Sequence, residues 1–153
     1  MNILSSFQNY IETYMDLDTF LEPCMVPEKG DVIRLELEQT LTQETDFDYF
    51  SNAQNYDISL RVHVKMFLRG AARFPKKVAR KSVLLDQFMN SRQHPALEFE
   101  ADNLSDSFST NIVGHMHSPI KRNSTYSKDA DNMFTYTENW LITLKTTAAK
   151  ILV

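Results

Sequence analysis

Apolar and polar residues alternate most strictly between Tyr56 and Leu68. Tyr56, Ile58, Leu60, Val62, Val64, Met66 and Leu68 fall on one side, and Asp57, Ser59, Arg61, His63, Lys65 and Phe67 on the other. That is the period of a strand with one buried and one wetted face. Shorter runs of the same kind predict strands over 32–38, where Ile33, Leu35 and Leu37 oppose Arg34, Glu36 and Glu38, and over 97–100, 108–117 and 134–146. In the last of these Phe134, Tyr136, Trp140, Ile142 and Leu144 share a face that Glu138 interrupts, as at an edge or bulge. Twice the spacing changes to three and four. Ile3, Phe7, Tyr10, Ile11, Tyr14 and Leu17 predict a helix over 3–17, and Val78, Ser82, Leu85, Phe88 and Met89 predict another over 75–90. Pro75 occupies its first position, where a missing N–H costs nothing. Residues 42–55 and 118–132 are polar and without period, which predicts two long loops, and Glu28-Lys29-Gly30-Asp31 reads as a turn. The whole chain, 1–153, is expected to form one α+β domain: a twisted antiparallel or mixed sheet with both helices packed on one face.

Composition narrows the classes. At 153 residues, one domain buries enough surface to fold without staples, and the single cysteine, Cys24, excludes an intrachain disulfide framework. There is no apolar run of membrane-spanning length and no basic start before an apolar stretch, so a soluble, intracellular protein without membrane contact is expected. Chemistry-bearing patterns are sparse. His115 and His117 share a strand face and His63 lies on another strand, but no third ligand spacing accompanies them, so no metal is expected. Cys24 has no nucleophile signature, and Glu98 and Glu100 read as solvated strand acids. Three glycines, at 30, 70 and 114, cannot build a phosphate-cradling loop. No catalytic residue, enzyme activity or cofactor is assigned.

Charge changes the picture more than any motif. The formal net charge is −4, yet residues 1–50 hold eleven acids against Lys29 and Arg34. Six bases, Arg69, Arg73, Lys76, Lys77, Arg80 and Lys81, then crowd into thirteen residues without an acid. Cations in the first turns of a helix oppose its macrodipole, so this stretch either meets an anionic partner or is a solvated helix face neutralised by the chain's own acidic half. Asp16, Asp18, Glu36, Glu38, Asp46 and Asp48 are the complementary acidic candidates. Exposed Phe67, Tyr49 and Phe50 beside the bases would also suit a stacking, phosphate-tracking surface, making a small DNA-binding accessory protein the alternative.

The order of elements resembles that of tail terminator and neck proteins of tailed bacteriophages. It runs from an N-terminal amphipathic helix (Ile3 to Leu17) through a strand after a turn (Val32 to Glu38) and a polar loop. A long strand (Tyr56 to Leu68) then leads through a basic linker into a helix (Pro75 to Asn90), and paired strands end in Phe134 to Thr146. Other minor tail or head-completion proteins share that layout. The resemblance implies a non-enzymatic virion protein, assembled in the host cytoplasm as a homo-oligomeric ring, commonly of six copies. Its implied neighbours are tail-tube and head-connector proteins, with passive contact to passing DNA. The basic 69–81 stretch would then line the subunit interface or the DNA-conducting lumen, and acidic surfaces of one copy would meet basic surfaces of the next.

Overall fold

A computed structural model describes residues 2–22, 30–50, 52–90, 97–100, 111–129 and 132–151. Two helices, α1 (Asn2–Met15) and α2 (Phe74–Asn90), lie on a sheet built from β1 (Asp18–Leu21), β2 (Val32–Asp48), β3 (Ala53–Gly70), β4 (Leu97–Glu100), β5 (Asn111–Lys128) and β6 (Phe134–Ile151). The strand order is β1-β2-β3-β6-β5-β4. β1 pairs parallel with β2 and every other pairing is antiparallel. The α+β domain with a mixed, mostly antiparallel sheet and both helices on one face is as the hydrophobic pattern requires.

The even-numbered residues of β3 from Ile58 to Leu68 and Tyr136, Ile142 and Leu144 of β6 form the floor of the core, joined by Ile33 and Leu35 of β2. Leu4, Phe7, Ile11 and Met15 of α1 and Phe74, Val78, Leu85, Phe88 and Met89 of α2 close it from above. Phe88 is the joint between the helices, its ring 5.0 Å from Tyr14, 5.4 Å from Tyr10 and 6.1 Å from Phe7.

Several expected boundaries need correction, among them the strand over 134–146, which runs on to Ile151. The helix over 3–17 ends at Met15, because Asp16 turns left-handed (φ 53°) while its N–H still bonds Glu12 O at 2.9 Å; the chain then starts the short strand β1. The loop expected over 42–55 is mostly strand: β2 continues to Asp48, a tight turn holds Asn52 at φ 51°, and β3 begins at Ala53. The loop expected over 118–132 is likewise strand as far as Lys128. In both cases a bulge hides the strand period. Register slips between Leu37 and Gln39, and in β5 between His117 and Ile120 and again between Lys121 and Asn123. Each slip exchanges the inward and outward sets. After Leu37, therefore, Thr40 and Thr42 face the helix side opposite Leu60 and Ile58, while Leu41 points to the open face, 55% exposed. The threonines suit a pleated surface without marking it as hydrophobic. Residues 108–110 lie outside the described residues, as do Cys24 and His94-Pro95.

Strands of 17 and 18 residues span about 55–60 Å, whereas α1 and α2 measure about 21 and 26 Å. The helices are thus shorter than the sheet, and at one end of it the β2–β3 hairpin, with β6 paired along β3 as far as Ala53, forms an arm.

Candidate functional site

The predicted basic cluster separates into two groups. Arg69, Lys77 and Lys81 are tied into the fold. Lys77 Nζ lies 2.6 Å from Asp31 Oδ2 and donates to Arg69 O at 2.7 Å, Arg69 contacts Asp129 at 3.0 Å, and Lys81 donates to Met15 O at 2.7 Å. Lys81 therefore caps the negative C-terminal end of α1, a favourable placement for a cation. Asp31 is the anchor, since its Oδ1 also accepts the Arg69 N–H at 2.9 Å. Asp31→Ala should cost about 1–2 kcal/mol in chemical denaturation, because it frees a backbone donor as well as an ammonium. The same assay on Lys77→Met should show a smaller loss, since the ion pair and the hydrogen bond to Arg69 O that it removes are both partly open to water and Asp31 keeps the Arg69 N–H.

Arg73, Lys76 and Arg80 stay exposed, and no ion pair among the described residues uses them. With Lys77 and Lys81 they line a shallow concavity of about 420 Å³ on the solvent side of α2.

The acidic candidates do not converge on one patch. Asp16 and Asp18 flank the α1–β1 junction. Glu36 and Glu38 project from the open face of β2 into this chain's own bases: Glu36 Oε2 is 2.8 Å from Lys65 Nζ, and Glu38 is 3.0 Å from His63 Nε2 and 4.0 Å from Arg61. The hydrogen bond from Lys65, aided by its charge, holds the Glu36 carboxyl below the ordinary value. Both acids already have partners within the chain. Phe67 lies beneath Arg34, 4.8 Å from its guanidinium, which is an intramolecular contact rather than a free stacking platform.

Asp46 and Asp48 belong to the arm. Residues 39–60 contain Glu44, Asp46, Asp48 and Asp57 and no lysine or arginine. Asp48 Oδ1 accepts the Phe50 N–H at 3.0 Å and shapes the tip, where Tyr49 and Phe50 are 86% and fully exposed. On the opposite side of the sheet β5 carries Lys121, Arg122 and Lys128 with no acid between Asn111 and Lys128. The sequence pattern does not mark this segment as strand, because the slips at His117/Ile120 and Lys121/Asn123 break its alternation.

Glu138 is neither at an edge nor at a bulge. It lies within the regular part of β6, paired on both sides with Met66 and Ser124, and is fully buried against α2. Its Oε1 accepts from Ser82 Oγ, Tyr136 OH and Lys121 Nζ, each at 2.8 Å. Burial pushes the carboxyl upward, but those three donors outweigh it, and the Trp140 indole adds to their pull without completing a hydrogen bond of normal geometry. The net direction is downward. The Lys121 ammonium is held above its ordinary value by its hydrogen bond to Glu138. This cluster fastens strand β5 and helix α2 to the centre of the sheet.

Among the described residues, no three histidine, cysteine or acidic side chains come together as a metal-binding group. No family model matches the chain, and no curated protein shows significant similarity to it.

Proposed function

We propose that this chain is a structural virion protein, a ring-forming subunit of the tail terminator or neck type that joins a phage tail tube to the head. The observation that carries the reading is the placement of charge outside the ion pairs of the fold. Among the described residues, the acids in no ion pair include Glu44, Asp46 and Asp57 of the arm at one side of the sheet, and the bases in none include Arg122 and Lys128 of β5 at the other side and Arg73, Lys76 and Arg80 on the solvent face of α2. Opposite charge on opposite flanks favours a head-to-tail contact between copies, the kind that closes into a ring. The fully exposed Phe50 and largely exposed Tyr49 at the arm tip suit contact with an adjacent protein, because aromatic side chains are enriched where proteins meet.

Light scattering coupled to size exclusion should find a ring-sized oligomer, or purified tail tubes should recruit the chain into one. Glu44→Lys with Asp46→Lys and Asp57→Lys should shift that oligomer toward monomer by tenfold or more in dissociation constant while leaving circular dichroism unchanged. A chain that stays monomeric at every concentration and ignores tail tubes would overturn the reading. A second reading rests on Arg73, Lys76 and Arg80, whose charge around one concavity forms no ion pair among the described residues and fits a phosphate backbone. Salt-sensitive binding of duplex DNA, lost when these three become glutamate, would favour a DNA-binding accessory protein or a DNA-facing lumen.

A further inference from the structure

The two flanks of the sheet are shaped as complementary steps. On one flank β1 covers only Val32–Leu35 of β2, and the polar side of α1 seals β1 in turn. Gln8 Nε2 donates to Thr19 O at 2.5 Å, and Glu12 Oε2 accepts the Thr19 N–H at 2.8 Å. Beyond Leu35, no described residue pairs with the outer edge of β2, which runs on for thirteen residues to Asp48. On the other flank β4 covers only Asn111–Gly114 of β5, and no described residue pairs with its outer edge from there to Lys128.

The coverings sit at opposite ends. β1 lies beside the row that contains Phe67 of β3, and β4 lies beside the row of Gly114, Thr146 and Ile58. One notch is therefore open toward the arm tip and the other away from it. Long uncovered edges are ordinarily blunted, because they template pairing with another chain. The bulges and Pro119 blunt part of each edge here, and Lys121 is drawn inward to Glu138. One unbulged stretch remains on each side, Gln39–Glu44 of β2 and Asn123–Lys128 of β5.

We infer that the exposed edge of β2 in one copy pairs antiparallel with the exposed edge of β5 in the next, making the ring contact an intermolecular sheet; this rests on the ring-subunit reading above. Strand direction agrees. Three successive antiparallel pairings separate β2 from β5, so the two strands run in opposite senses, and two copies side by side in the same orientation present them antiparallel. Charge agrees as well: Glu44, Asp46 and Asp48 would face Arg122 and Lys128. Nesting the notches leaves β1 of one copy beyond the end of β5 in its neighbour, and the neighbour's β4 beyond the arm tip, so neither covering strand obstructs the joint.

Parity selects the residues that meet. Thr40, Thr42 and Glu44 point to the helix side, as do Ser124, Tyr126 and Lys128, and directly opposed residues in an antiparallel pair share a face. The test uses a Cys24→Ser background. One chain carries a cysteine at position 40, 42 or 44 and a second chain a cysteine at 124, 126 or 128; the chains are mixed and oxidised with a mild disulfide reagent. At least one mixed pair should cross-link at ring-forming concentrations, and Arg122→Glu with Lys128→Glu should restore assembly to the arm-reversed variant. Backbone amides at 40–44 and 124–128 should also exchange more slowly in the oligomer than in the dilute monomer, a readout independent of any substitution. A ring with neither cross-links nor amide protection would refute the edge pairing and leave the ring reading intact. Cross-linking between two position-42 cysteines would mean a two-fold contact instead. Absence of any oligomer would refute both.

Discussion

Phe88→Ala should destabilise the protein by about 3–5 kcal/mol, the range for emptying a fully buried aromatic site. The upper half of that range is expected. Phe88 is where three rings of α1 meet α2, and aromatic pairs are worth about 0.5–1.5 kcal/mol beyond their buried area. For a domain of this size each kcal/mol shifts the melting temperature by about 2–4 °C, so the melting temperature should fall by about 8–20 °C. Phe88→Leu keeps most of the volume and should cost about 1–2 kcal/mol. The loss should not be uniform. α1 meets α2 through this ring cluster, so hydrogen exchange should accelerate in α1 and β1 before the β3–β6 centre. A melting temperature within 3 °C of the unmodified chain would mean that the two helices are held by something other than this joint.

Residues whose faces are set by one uninterrupted period were legible in the sequence. Tyr56 to Leu68 needed only alternation, and Val78, Leu85 and Met89 needed only helical spacing; both elements sit where those patterns put them. The arm and the second half of β5 were not legible, for a physical reason. Bulges at Leu37/Gln39 and His117/Ile120 reset the inward set partway along each strand, and beyond them the inward residues of β2 are threonines and a glutamate. No short-window pattern survives that. The 69–81 bases were visible as a cluster, but their division was not. Lys77 and Lys81 find partners at Asp31 and Met15, 46 and 66 residues earlier in the chain, and only the fold brings those together. Asp16 and Asp18 illustrate the converse, acids grouped by sequence that the fold sets apart from the arm.

Glu138→Ala is the other large effect expected, about 3 kcal/mol. Removing the carboxylate leaves the Ser82 and Tyr136 hydroxyls without their shared acceptor, and each unsatisfied buried donor costs about 1–3 kcal/mol. Lys121 is 43% exposed and can turn its ammonium to water, so the full penalty of a stranded buried charge does not apply. Glu138→Gln keeps the shape and one acceptor oxygen and should cost less. The pH profile separates the charge from the packing. The folded Glu138 carboxyl titrates below the unfolded one, so its contribution is present above about pH 4.5 and is lost as pH falls through the folded value. Lys121 titrates above its unfolded value, so its share is complete below about pH 10.5 and is lost as pH rises through the folded value. Urea denaturation of the unmodified chain and Glu138→Gln should accordingly show a gap that is constant near neutrality and narrows below about pH 4.5. A gap that widens in acid would mean that burial dominates and Glu138 is held protonated. Lys121 stands on the strand whose outer edge is proposed to meet a neighbouring copy, so loosening the Glu138 cluster should also free β5. Glu138→Gln should therefore weaken ring formation even at a temperature where the monomer remains fully folded, whereas Phe88→Leu, matched to it in stability, should not.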